Sequence, residues 1–293
     1  MADRFKFGLS IPWAGTDFNQ VLDVIDELGL EYVDLRTIGD RNITEVPDAT
    51  VQEVEDLIKK HGVKVSSVSP FLFFRLPLTD KEDEITIRGS FPEHMEMLKR
   101  AIEIAKRFGT RYIRSFHFNS EFLFSTSGYR DLPFDVWSKL IERLQKAARI
   151  VEAADMTLLL ENCHWCNLGT GCLAAKAIDD IGSKNVRLWW DPGNTATATG
   201  LNPYPYEYER IKDYIEFIDM KDQVVNRFYY TQEYVGMGEG NNVNWPDIFR
   251  ALIRDNYQKM IVYESLYIPK GGTMYDGIRQ TFARARAMVA SVE

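Results

Sequence analysis

Cysteine and histidine are both scarce in this chain. Three cysteines, Cys163, Cys166 and Cys172, occur among 293 residues. A small odd number excludes a disulfide framework and fits reduced thiols. The four histidines are His61, His94, His117 and His164. That supply is too thin for a cluster of several zinc ions, and His61 and His94 fall in helical patterns where solvation is expected. No apolar run approaches the ~20 residues of a membrane span. The opening M-A-D-R-F-K-F-G-L-S-I has no secretory apolar stretch, so a cytoplasmic location with no membrane partner is expected. Basic residues are outnumbered, 35 Lys and Arg against 43 Asp and Glu, for a net charge of −8. Phosphate binding needs clustered cations, so nucleic acid is not an expected partner. No G-x-G-x-x-G turn follows the first strand-like segment, and the dinucleotide-binding architecture loses its usual signature. Low-complexity stretches and interdomain linkers are also missing.

What is present is a regular alternation. Short apolar segments begin at Phe5, Tyr32, Val63, Arg111, Met156, Val186, Ile215 and Lys259. Their β-branched and aromatic content suits buried parallel strands. Between them run amphipathic helical patterns, several ending at a glycine; M-E-M-L-K-R-A-I-E-I-A-K-R-F-G is the clearest. Such alternation predicts either a parallel barrel or a doubly wound sheet. With 45% hydrophobic and 27% charged residues the chain can bury a layered core. Its length suits a (β/α)8 TIM barrel, ~250 residues with extensions, as a single domain over residues 1–293.

Four of the strand-like segments stop at a carboxylate: Glu161 in L-L-L-E-N-C, Asp191 in L-W-W-D-P-G-N, Asp219 in F-I-D-M-K-D and Glu264 in I-V-Y-E-S. An apolar strand ending on a buried acid is costly unless a cation meets it. In a barrel all four lie at the C-terminal mouth, where they are expected to hold one divalent metal. Ion pairs with neighbouring arginines are the plain alternative for any single acid. Two long connections, from Phe71 to about Pro92 and from Gln223 to about Asn244, follow strands and are rich in aromatics. They are expected to form a lid, a substrate wall, a subunit interface or a satellite cluster. They point to a homodimer or homotetramer, with a hetero-complex as the alternative.

At these strand ends the chain resembles the sugar phosphate isomerase/epimerase family of xylose-isomerase-like barrels, which includes ketose 3-epimerases, hydroxypyruvate isomerase, inosose dehydratase and endonuclease IV. The resemblance rests on L-L-L-E-N, W-D-P-G-N, M-K-D, G-M-G-E-G-N-N-V-N-W and Y-E-S, in that order. It implies that Glu161, Asp191 and Glu264 are metal ligands and that Glu161 and Glu264 double as acid/base groups. The family's third ligand is usually a histidine in H-x-K-D; here that position is Asp219. An all-oxygen set suits Mn2+ or Mg2+ better than Zn2+. Asn194 stands where many members carry a histidine that touches substrate, so a substrate-binding role is expected for it.

Other residues are assigned from position. Lys221 shares a strand face with Asp219 and is expected to offset the negative charge and bind a substrate oxygen or a developing enolate. His117, in S-F-H-F, is the candidate for an extra base, with a satisfied core histidine as the alternative. His164 is expected to line the mouth. Arg36 and Arg114 are candidate holders of a substrate phosphate or carboxylate, with structural ion pairs as the alternative. C-x-x-C at Cys163–Cys166 lacks the further ligands of a structural zinc site.

The expected activity is isomerisation or epimerisation of a sugar or polyol by proton abstraction next to a carbonyl, with a sugar or keto-sugar as the small-molecule substrate. The rival is a metal-dependent lyase that expels a leaving group from the same enolate, like inosose dehydratase or the C-glycoside deglycosidases. A repair nuclease lacks its histidines here, and a barrel that has lost its metal is the remaining alternative. No phosphate-cradling glycine loop stands out; G-M-G-E-G comes nearest.

Overall fold

The eight apolar segments form eight parallel strands closed into one barrel. The structure is a computed structural model and describes residues 4–11, 15–119, 132–226, 231–264 and 266–293. Part of the aromatic stretch expected in the second long connection, residues 227–230, lies outside the described residues, as does Ser265.

The barrel strands are β1 (Lys6–Ser10), β2 (Tyr32–Leu35), β5 (Lys64–Leu72), β6 (Tyr112–Ser115), β7 (Thr157–Glu161), β8 (Val186–Trp190), β9 (Ile215–Met220) and β12 (Met260–Glu264). They follow one another around the barrel in chain order, and β12 closes it against β1. Two small antiparallel hairpins decorate its mouth. One pairs β3 (Thr37–Ile38) with β4 (Arg41–Asn42), the other β10 (Asp222–Asn226) with β11 (Thr231–Val235).

The helices are α1 (Phe18–Leu28), α2 (Asp48–His61), α3 (Phe91–Arg107), α4 (Phe134–Ala153), α5 (Gly171–Ile181), α6 (Pro192–Thr199), α7 (Tyr208–Ile211), α8 (Trp245–Arg254) and α9 (Met274–Val292). Their starts are chemically marked. Ser90 with Glu93 and Thr273 with Asp276 form reciprocal caps on α3 and α9. Gly29, Gly62 and Gly182 end α1, α2 and α5 in the left-handed conformation, as the sequence pattern predicts.

Pro70 does not close the third strand, since β5 runs on to Leu72. The β5–β6 register is broken between Val68 and Leu72, so the missing proline N–H interrupts no regular ladder there. The connection after Gln223 is not an open loop, because β10 and β11 pair within it.

Pleat alternation stacks the interior in layers. Leu159, Trp189, Phe217, Met260 and Val262 form one buried apolar cluster, with Tyr32 and Tyr112 packed against it. Two residues further along their strands come Glu161, Asp191, Asp219, Glu264, Asp34 and Arg114, so the polar residues occupy the layer above. The apolar layer is the floor on which the site stands.

Candidate functional site

The four strand-end carboxylates stand on or just beyond β7, β8, β9 and β12, which are adjacent in the barrel. Glu161, Asp191 and Asp219 converge: one oxygen from each lies within 4.8 Å of the others, and all three side chains are buried. Such a set could hold one metal ion. Glu264, expected as the fourth ligand, is not part of that group. Its carboxylate is engaged by Arg36 and by Lys221 Nζ at 2.9 Å.

Three cations answer the four acids. Arg114 Nε pairs with Glu161, and its Nη2 lies 2.9 Å from Asp219 Oδ2. Lys221 Nζ lies 2.7 Å from Asp191 Oδ2. Four carboxylates against Arg36, Arg114 and Lys221 leave one formal negative charge, and buried Asp34 in the same layer adds a second. That residual charge suits a cation. Asp219 Oδ1 is buried with no hydrogen-bond partner, and Asp191 Oδ2 meets Lys221 without hydrogen-bond alignment. Buried unsatisfied oxygens of this kind mark where a ligand belongs. The donor set therefore fits a divalent ion.

Burial dominates the protonation of the three converging acids. It pushes Asp191 and Asp219 each up to about 7, against the pull of Lys221 on both and of Arg114 on Asp219. Glu161 is raised for the same first reason, with Arg114 opposing. Burial also works against the charge of Glu264, yet Lys221, Arg36 and Arg114 outweigh it and hold the group well below the ordinary range. Arg114 and Lys221 lose solvation, but the flanking carboxylates keep both firmly charged.

Arg36 and Arg114, expected to hold a substrate anion, are instead spent on the site's own acids. Asp34, two residues before Arg36, is satisfied by hydroxyls. Its carboxylate accepts from Ser10 Oγ at 2.7 Å, Ser67 Oγ at 2.7 Å and Ser69 Oγ at 2.6 Å. These hydroxyls come from β1 and β5 and replace the arginine.

Asn194 is likewise not free to touch substrate. Its N–H donates to Asp191 Oδ1 at 2.8 Å, at the start of α6. Its Nδ2 donates to Glu161 Oε1 at 3.2 Å and Asn162 O at 3.0 Å. The remaining amide oxygen sits 2.7 Å from His164 Nδ1, so Nδ1 is the donor and Nε2 carries the lone pair. His164 Nε2 is buried without a partner, and burial pushes the ring down to about 4. Sequence reading brought His164 to the mouth; the fold adds that it is wired to Glu161 through Asn194.

His117 is a correction. Leu168 N–H donates to its Nδ1 at 2.8 Å, and burial pushes the ring down to about 3. With Nδ1 accepting, the neutral ring carries its proton on Nε2 and offers no lone pair. His117 pins the turn after β7 and is not the extra base. His94 is a second correction: it is buried, its Nδ1 accepts from Phe73 N–H at 2.9 Å, and its Nε2 contacts Arg88 O at 3.0 Å.

The surrounding supports were not visible in the sequence. Asn162 grips the backbone of Asp191 twice, accepting from its N–H at 2.8 Å and donating to its C=O at 2.8 Å. Buried Glu207 takes Trp190 Nε1 at 2.7 Å and Thr195 Oγ1 at 2.8 Å, fixing both flanks of Asp191. On the outer hairpin, Tyr234 stands opposite Gln223, so their side chains share a face. Gln223 Nε2 donates to Gly193 O at 2.6 Å, which turns that face toward the site. Burial, followed by the pull of Lys221 in the other direction, leaves the Tyr234 phenol raised to about 12.

The glycine turn G-M-G-E-G is already filled. Asp222 Oδ2 accepts from Gly238 N–H at 2.7 Å and Gly240 N–H at 3.2 Å. A Cβ on Gly240 would stand 1.9 Å from Asp222 Oδ1, so only glycine fits there. The amides that might have cradled a phosphate hold a carboxylate of the chain itself. Cys163 and Cys166 pack with Phe116, Phe71, Phe74 and Trp165 in an aromatic cluster, and Cys172 is half-buried on α5. Among the described residues, no helix is long and apolar enough to cross a membrane.

Comparison with known proteins fits this architecture. The chain resembles the IOLI protein with a bound zinc atom (TM-score 0.77, 16% identity, 99% of each chain covered). It also resembles 3-keto-D-glucoside 4-epimerase YcjR from E. coli (TM-score 0.71, 15% identity, 97% of this chain and 99% of that one). A third likeness is to a xylose isomerase-like TIM barrel protein from Mycobacterium smegmatis in complex with magnesium (TM-score 0.68, 17% identity, 94% of this chain and 89% of that one). At these identities the likeness concerns the fold. Among curated proteins none matches the chain by sequence. The sequence pattern of the xylose isomerase-like TIM barrel covers residues 22–285, and the chain belongs to that family.

Proposed function

We propose that the protein is a divalent-metal-dependent isomerase or epimerase of an unphosphorylated sugar or keto-sugar, acting by proton transfer next to a carbonyl. One observation carries the reading: three buried carboxylates, Glu161, Asp191 and Asp219, converge above an apolar floor with an oxygen of Asp219 left unsatisfied. Their all-oxygen character favours Mn2+ or Mg2+ over Zn2+. When bound, the ion would act as a Lewis acid on the carbonyl and on the enolate that proton loss creates.

The chain's own residues divide the remaining work. Glu161 and Glu264 stand at the two ends of the four-strand arc and act as the proton-transferring pair. Glu161 is aimed by Asn194 and balanced by Arg114. Lys221 stands between Asp191 and Glu264, where its ammonium can bind a substrate oxygen. Tyr234 covers the site from the hairpin and excludes water. The filled glycine turn supports an unphosphorylated substrate.

A lyase reading has one observation of its own. His164 Nε2 is a second unpartnered proton-handling atom, separate from the carboxylates. Elimination could use that lone pair to take the α-proton, leaving a protonated carboxyl of the site to pass a proton to the departing oxygen.

Incubation of the Mn2+-loaded protein with ketoses in D2O, followed by NMR, tests the proposal. Deuterium at the α-carbon with the carbon skeleton intact supports isomerisation, and loss of a leaving group supports the lyase. Glu161→Gln should lower either rate by about 10²–10⁴-fold. Absence of exchange with every ketose tried, or an unchanged rate in that variant, contradicts the assignment.

A further inference from the structure

Among the described residues, every cation in the barrel mouth but one is matched by an acid. Arg36, Arg114 and Lys221 are buried and paired. Arg75, on the segment that leaves β5, is half-buried and pairs with no carboxylate among the described residues. Its guanidinium lies over the Trp165 ring, 4.7 Å from the centroid. Trp165 in turn lies 5.0 Å, centroid to centroid, from the ring of His164, which reaches Glu161 through Asn194.

The backbone that presents Arg75 is unusual. Phe71, Phe73 and Arg75 all have left-handed φ values, +57°, +59° and +55°. Non-glycine residues adopt this conformation at a cost, and a run of them needs strong surroundings. Those surroundings exist. Leu72 and Phe73 are fully buried, and His94 accepts the Phe73 N–H. Asn119 N–H donates to Leu76 O at 2.7 Å. At the other end of the segment Phe71 lies under Arg36, 4.7 Å from its guanidinium carbon. The segment thus arches across the mouth from the Glu264 side to the His164 side. It sets a guanidinium on an aromatic face with its N–H edge unclaimed by any acid among the described residues, the arrangement that recognises planar oxyanions.

Charge leads to the same substrate class. With Asp34 counted, the buried acids and cations of that layer carry two formal negative charges, which a dication would cancel. Arg75 then adds one positive charge. A neutral sugar would leave that excess unbalanced in a partly desolvated mouth.

We propose that Arg75 anchors a carboxylate of the substrate, so that the substrate is a keto-sugar acid. This rests on the isomerase or epimerase reading for the chemistry but concerns a different residue. A carboxylate fits better than a phosphate ester, because a dianion would call on backbone amides and the glycine turn has given its amides to Asp222.

The test is binding, which needs no turnover. Calorimetry with the Mn2+-loaded full chain would compare D-fructose, D-fructuronate and D-fructose 6-phosphate, and the tagatose counterparts D-tagatose and D-tagaturonate. In at least one pair the acid should bind about tenfold or more tightly than the neutral sugar. Arg75→Gln should abolish that preference, while Arg75→Lys keeps part of it; melting curves of both variants confirm folding. The proposal is overturned if acid and neutral forms bind alike, if the phosphate binds more tightly than the acid, if none binds, or if Arg75→Gln keeps the preference. A preference that persists without α-proton exchange would refute the isomerase reading and leave the carboxylate site standing.

Discussion

Arg114 Nη2 lies 2.9 Å from Asp219 Oδ2, with both side chains closed off from solvent. The pairing accounts for the aspartate at a position where the family resemblance implies histidine. An extra negative charge among three other acids would be costly, and Arg114, in the same layer, balances it. Arg114 also pairs with Glu161 and lies over the Trp189 ring, 4.3 Å from the centroid. Replacing Arg114 with methionine should destabilise the protein by about 3–5 kcal/mol, the cost of stranding a buried charge. Chemical denaturation measures this, and excess Mn2+ should restore part of the loss.

Asn162 offers a test of the supports. Asn162→Ala removes both contacts to the Asp191 backbone while leaving every carboxylate in place. Loss of a group that orients a ligand typically weakens metal affinity by about 10–100-fold. Titration with Mn2+ should show that weakening, and an unchanged affinity would mean that Asp191 is held by its strand alone.

Protonation gives a pH dependence with a definite sign. Asp191 and Asp219 have folded values raised from 3.8 to about 7, so the metal-free protein holds more protons than the unfolded chain between those limits. By themselves these two acids make stability fall as pH rises from about 5 to about 7, while the buried rings of His117 and His164, pushed down from 6.5 to about 3 and about 4, contribute the opposite trend; Asp219→Asn should therefore make the stability of the metal-free protein rise more steeply through that window. Glu264 has a depressed value, and its contribution is already complete above its ordinary 4.5, so it does not offset the trend in that window. A cation competes with the same protons. Mn2+ affinity should rise through the window, with proton release on binding, and calorimetry in buffers of different ionisation enthalpy would detect it.

Asp222→Ala should free the amides of Gly238 and Gly240 and loosen the turn they form. The expected cost is about 1–3 kcal/mol from unsatisfied buried donors. Urea denaturation reads it directly.

Much of the fold was legible because its signal is local. The strand starts read from the sequence fall within a residue of the observed ones, since short apolar segments alternate with amphipathic helices that end at glycines. The site's carboxylates were legible for the same reason, as acids that end apolar strands. What sequence could not supply is pairing across the barrel. Arg36 meets Glu264, 228 residues away, only because the barrel closes β12 against β1 beside β2. Asp34, only two residues away from Arg36 in the chain, is instead held by three serines of β1 and β5. His94 lies in a helical pattern that says nothing about the loop above it. Asp222 and the glycines it holds are joined across the β10–β11 hairpin, which no Asn-Gly turn announced.

The account stands on a single ion among Glu161, Asp191 and Asp219, and anomalous diffraction from a crystal soaked in Mn2+ tests it most directly. The account predicts one strong peak within coordination distance of oxygens from all three side chains. No peak there, with Arg114 and Lys221 still neutralising the carboxylates, would contradict it.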